Sequence, residues 1–122
     1  MIEVFLAICA FTTLECNDIT VAFYSDFDED TYGAAGYDLQ GNYYILINPD
    51  SAKKSENFQR QLMVHEIAHL LAFEQDINAV SHYGIYEGIC EELQERTGVK
   101  GSTVCKPYHI KPHYPWRATR RE

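Results

Sequence analysis

The segment that most constrains this chain is Leu62-Met63-Val64-His65-Glu66-Ile67-Ala68-His69-Leu70-Leu71-Ala72-Phe73. It is apolar nearly all round, and with the residues before it the spacing predicts a helix over 55–73. A helix that is apolar on every side belongs in the centre of a domain, covered by other elements. Two histidines and a glutamate inside it are costly to bury unless something compensates. The chain has 122 residues, which is room for one domain built around such a helix and too little for two.

The remaining elements are read around that helix. Residues 2–15 carry an apolar stripe at Ile2, Phe5, Leu6, Cys9 and Leu14 and predict a first helix. Residues 19–24, 34–39 and 43–48 read as strands, with Gln40-Gly41-Asn42 as the turn between the last two. The acidic run at 25–30 lacks the glycine and terminal glutamate of an EF-hand loop and reads as an exposed turn. A last helix is predicted over 83–96, stopped at Thr97-Gly98 by a glycine C-cap. The order is α-β-β-β-α-α. The expected fold is α+β and zincin-like. It has a small three-stranded antiparallel sheet packed on the central helix, with an N-terminal and a C-terminal helix. The domain is expected over 1–99, followed by an irregular basic tail over 100–122.

His65-Glu66-Ile67-Ala68-His69 is an H-E-x-x-H motif. Positions i and i+4 lie one turn apart on one helix face, so both imidazoles can reach one metal ion at about 2.0–2.1 Å. Glu66 projects beside the ion, where it can take a proton from a metal-activated water and pass it to a leaving amine. A catalytic zinc needs a third protein ligand and one open position. Downstream candidates are Glu74, His82, Glu87, Glu91 and Glu92. Glu74 continues the same helix and is disfavoured. Positions 72 and 75 are Ala and Gln, which excludes the metzincin pattern. His82 stays open as third ligand. So does Glu87 with Glu91 behind it, the glutamate-zincin arrangement.

Twelve residues separate His69 from His82, and Tyr86 stands four residues after His82. Together with H-E-x-x-H-Leu70-Leu71, this resembles the SprT-like (Spartan-type) metallopeptidase domain. Ala34-Ala35-Gly36-Tyr37 and the strand before Pro49 also resemble that domain's hairpin leading into its zinc helix. Gly84 lies two residues after His82, where the family has an adjacent glycine, and the cysteine pairs of the family's zinc ribbon are missing. The resemblance implies Zn2+ on His65, His69 and His82, Glu66 as the catalytic residue, and hydrolysis of peptide bonds in protein substrates, DNA-associated ones among them. The strand at 43–48 is expected to pair with an extended substrate. Two other readings share the metal: a zinc-stabilised interaction module without turnover, and a glutamate-zincin regulator that cleaves a repressor.

Charge narrows the partners. Residues 1–99 hold four Lys/Arg against seventeen Asp/Glu, a balance of −13, while residues 100–122 carry +5. The body repels nucleic acid at long range, and only the tail offers phosphate contacts and stacking aromatics such as Tyr108, Tyr114 and Trp116. No apolar run approaches the roughly 20 residues of a membrane span. Apolar residues make up 46 %, enough for a core without disulfides, so the four cysteines are expected as reduced thiols and the protein as cytoplasmic. Cys90, Cys105, His109 and His113 have tolerable spacing for a second metal site, although an exposed tail with incidental histidines explains them better. Tyr83 and Tyr86 are candidate hydrogen-bond donors to an oxyanion, with core packing the better account of Tyr86.

Overall fold

The computed structural model describes residues 1–27 and 31–107. Three helices and a three-stranded sheet follow the expected order: α1 (Ile2–Cys9), β1 (Thr20–Phe23), β2 (Gly33–Tyr37), β3 (Tyr43–Ile47), α2 (Glu56–Gln75) and α3 (Ile85–Thr97). Short 3₁₀ turns at Cys16–Asp18 and Pro49–Lys53 lead into β1 and α2.

Helix α2 is the axis of the domain. Ser55 caps its start, its hydroxyl accepting from the Phe58 N–H at 3.1 Å. Every residue from Leu62 to Leu70 is buried. Helices α1 and α3 and the sheet cover it. Phe5 and Ile8 come from α1, Ile45 and Ile47 from β3, and Tyr86, Cys90 and Leu93 from α3. Alternation along β3 turns Ile45 and Ile47 into the core. Helix α3 ends where expected, at Gly98 in the left-handed conformation (φ 75°), which glycine adopts without a Cβ clash.

The sheet departs from the expectation of an antiparallel one. Its order is β1-β3-β2, with β2 antiparallel to β3 but β1 parallel to β3. The β2–β3 hairpin is closed by Asp38, whose carboxylate accepts from the Gln40 and Asn42 N–H groups at 3.0 and 2.9 Å. β1 and β2 lie on opposite sides of β3. The direction alternates along the sequence, but the neighbours are not consecutive, and the sheet is mixed. β3 is therefore the central strand, paired on both sides. It has no edge for a substrate, contrary to the expected role of 43–48.

Helix α1 is shorter than the predicted 2–15. The Thr12 hydroxyl and N–H both donate to the Cys9 carbonyl, at 2.7 and 2.9 Å, a side-chain bond that competes with helix continuation. The Cys9–Cys16 disulfide then closes the loop. A second disulfide joins Cys90 on α3 to Cys105. The four cysteines are thus not reduced thiols. Disulfides persist in oxidising compartments, so the ground for a cytoplasmic location falls away. Residues 100–106 are irregular, yet they pack on the domain, with Val104 fully buried. No described helix is long and apolar enough to cross a membrane.

Candidate metal centre

His65 and His69 stand one turn apart on the buried face of α2, and His82 arrives from the connection between α2 and α3. That connection is pinned at its start. The Asp76 N–H donates to the Ala72 carbonyl, and the Asp76 carboxylate accepts from the Asn78 N–H at 3.0 Å. Tyr37 on β2 donates its hydroxyl to the Ile77 carbonyl at 3.1 Å, tying the connection to the sheet.

The result is a convergence of three ring nitrogens. His82 Nε2 lies 3.1 Å from His65 Nε2 and 3.1 Å from His69 Nε2. The His65 tautomer follows from its other nitrogen. Nδ1 lies 2.7 Å from the Val104 carbonyl oxygen. A carbonyl can only accept, so Nδ1 carries the proton and Nε2 presents a lone pair to the centre. A neutral His82 has one proton to offer at most, so its Nε2 cannot donate to both neighbours. Two of the converging lone pairs then face each other. A cation between them removes the conflict, because tetrahedral zinc at about 2.0–2.1 Å from each nitrogen sets them roughly 3.3 Å apart. Burial lowers the pKa of His82 to about 4 and that of His69 well below the usual value, His69 also feeling His65 and His82. Neutral imidazoles are the form that ligates. Three imidazoles suit zinc, copper, iron and nickel.

Glu66 follows His65 on the same turn and is not one of the converging ligands. Its side chain is 2 % exposed, and it has no hydrogen-bond partner among the described residues. Burial pushes its pKa up to about 8. Strand β2 presses on it: a Cβ on Gly33 would sit 3.2 Å from Glu66 Oε2 and 3.1 Å from Leu62 Cδ1. A side chain there would make its neighbours give by a few tenths of an ångström, so glycine suits this close approach. Tyr86 supports the centre from α3. Its hydroxyl donates to the His65 carbonyl at 2.9 Å, and its ring stacks on His69 with centroids 4.2 Å apart.

The other sequence candidates lie apart from the centre. Glu87 pairs with Lys106 at 3.1 Å, Glu74 accepts from the Tyr43 hydroxyl at 2.6 Å, and Glu92 pairs with Arg96 at 2.8 Å. Glu91 is exposed on α3. Tyr83 is exposed, while Tyr86 is buried in the core with its hydroxyl already engaged. Cys90 and Cys105 are consumed by their disulfide and cannot ligate a second metal. His109, His113 and the basic tail's aromatics lie outside the described residues, as does the acidic run at 28–30. Sequence reasoning missed Val104, because the group that matters is a backbone carbonyl and leaves no residue signature. It also missed Gly33, whose signal was the run of small residues Gly33-Ala34-Ala35-Gly36. No family model, curated protein or solved structure matches the chain.

Proposed function

We propose that this chain is a zinc metalloendopeptidase of SprT-like, zincin-like type, with His65, His69 and His82 holding the ion and Glu66 as the general base. The observation that carries the reading is the pairing of three convergent imidazoles with a buried carboxylate that has no partner among the described residues. Strongly perturbed titratable groups gathered in one place favour a functional site. Zinc bound there supplies Lewis acidity toward a substrate carbonyl and a water molecule. Glu66 accepts the proton of the attacking water and delivers it to the amine nitrogen as the C–N bond breaks. His82 is the most exposed of the three ligands and marks the side from which substrate approaches. Among the described residues, β2 pairs on one side only, with β3. In this reading an extended peptide adds to the outer edge of β2, beside Glu66.

The rival readings fit less well. A structural zinc closes its shell with a fourth protein ligand, and the ligating group among the described residues has three members. The glutamate-zincin regulator needs Glu87 on the metal, but Glu87 is engaged with Lys106. The substrate class proposed is protein. DNA-associated proteins enter only through the family resemblance, so the assay carries arms with and without DNA. The test is cleavage of an unfolded protein such as casein by zinc-loaded wild type and Glu66→Gln. The variant is expected to keep zinc and lose activity by about 10²–10⁴-fold. Equal cleavage by the two proteins overturns the proposal.

A further inference from the structure

Residues 99–106 fold back from the end of α3 onto α2 without forming helix or strand. Side chains hold the segment along its length. Gln94 donates to the Val99 and Gly101 carbonyls at 3.1 and 3.0 Å, and Gln61 donates to the Lys100 carbonyl at 2.7 Å. Lys106 pairs with Glu87. The one covalent tie is Cys90–Cys105.

The segment's contact with the metal centre is the Val104 carbonyl, 2.7 Å from His65 Nδ1. That carbonyl belongs to the same peptide unit as the Cys105 N–H. A peptide unit is planar and rigid, so anchoring Cys105 to α3 limits how far the Val104 oxygen in that unit can move from His65. The oxygen in turn orients the imidazole and selects its tautomer. Such partners of a ligating histidine are worth about 10–100-fold in metal affinity.

We propose that the Cys90–Cys105 disulfide is a positioning element for the three-histidine centre, so that retention of the metal depends on this bond being oxidised. The inference rests on the metal-binding half of the reading above and not on peptidase activity. Reduction by a dithiol breaks the S–S bond and leaves two thiols. The reductant supplies two electrons and two protons and becomes a cyclic disulfide. The segment then keeps only its non-covalent ties, and the Val104 carbonyl is held on His65 less firmly. The Cys9–Cys16 disulfide closes a loop after α1, where its cysteines bond to Thr12 and Leu14 and to no group of the centre among the described residues, and it serves as the internal control.

The experiment measures zinc affinity by competition with a chromophoric chelator, for the oxidised full chain, for Cys90→Ala/Cys105→Ala and for Cys9→Ala/Cys16→Ala. The first double variant is expected to bind about 10–100-fold more weakly and the second to match wild type. A second measurement needs only wild type. Linkage is reciprocal, so one equivalent of zinc should make Cys90–Cys105 harder to reduce by the same factor, about 30–59 mV at 29.6 mV per tenfold. Cys9–Cys16 should not shift. Equal zinc affinity in a folded Cys90→Ala/Cys105→Ala variant overturns the proposal. If that variant does not fold, an unmoved reduction midpoint overturns it. If oxidised wild type binds no zinc, this proposal and the metal reading fall together. If it binds zinc and neither measurement moves, only this proposal falls.

Discussion

Two buried polar clusters flank the strand β2, and they are built on opposite terms. At the corner between β3 and α2, Asn48 and Ser51 are buried but satisfied. The Asn48 side chain donates to the Thr31 carbonyl at 2.8 Å and accepts from the Asp50 N–H at 3.0 Å, and the Ser51 hydroxyl donates to the Tyr32 carbonyl at 2.9 Å. On α2, His65, Glu66 and His69 are buried as well. There the imidazoles face one another, and the carboxylate meets no donor among the described residues. Buried polar groups are nearly always paired. The first cluster obeys that rule within the protein and pins the start of β2. Among the described residues, the second leaves its carboxylate without a donor and three imidazole Nε2 atoms facing one another, an arrangement that a bound cation would satisfy. This asymmetry sets the candidate metal centre apart from a cluster whose polar groups are paired within the protein.

The comparison can be broken by mutation. The largest effect is expected for His69→Ala, which removes one of three ligands. Its zinc affinity, read by chelator competition, should fall by more than the roughly 10–100-fold that follows loss of a ligand's partner. Asn48→Ala should do the reverse. It strands the Thr31 carbonyl and the Asp50 N–H, costing about 1–3 kcal/mol in denaturant unfolding, while zinc affinity stays at the wild-type value. If Asn48→Ala also loses zinc, the two clusters are not separate. Gly33→Ala probes the wall they share. The new methyl presses on Glu66, Leu62 and the Leu46 carbonyl, and the expected cost is about 1–3 kcal/mol, with peptidase activity falling further than zinc content. The smallest effect is expected for Tyr86→Phe. It deletes one hydrogen bond to the His65 carbonyl, worth about 0.5–1.5 kcal/mol, and leaves the ring stacked on His69.

The satisfied cluster and the unsatisfied one differed in how far the sequence revealed them. The i, i+4 histidines and the apolar helix around them share one local period, so α2 and two ligands were legible at once. His82 was one of several open candidates on the residues alone, and only the spacing of a resembling family favoured it. The strand positions were also legible, within a residue or two at each end. Their order was not, because whether β1 lies beside β2 or β3 depends on the path of 24–32 and not on any period. Cysteine pairing escaped for a related reason. Cys90 and Cys105 sit fifteen residues apart, and nothing in that spacing announces that the segment after α3 folds back on itself. The Val104 carbonyl could be found only after that fold-back was known. The end of α1 turned on Thr12, a residue whose hydroxyl competes with the helix it follows.

The most direct measurement is anomalous diffraction at the zinc edge from crystals of the full chain grown with zinc. The account predicts one strong peak about 2.0–2.1 Å from the Nε2 atoms of His65, His69 and His82, with no fourth side chain bound. A map with no peak between these rings, or with the ion held by Glu87 in place of His82, contradicts it.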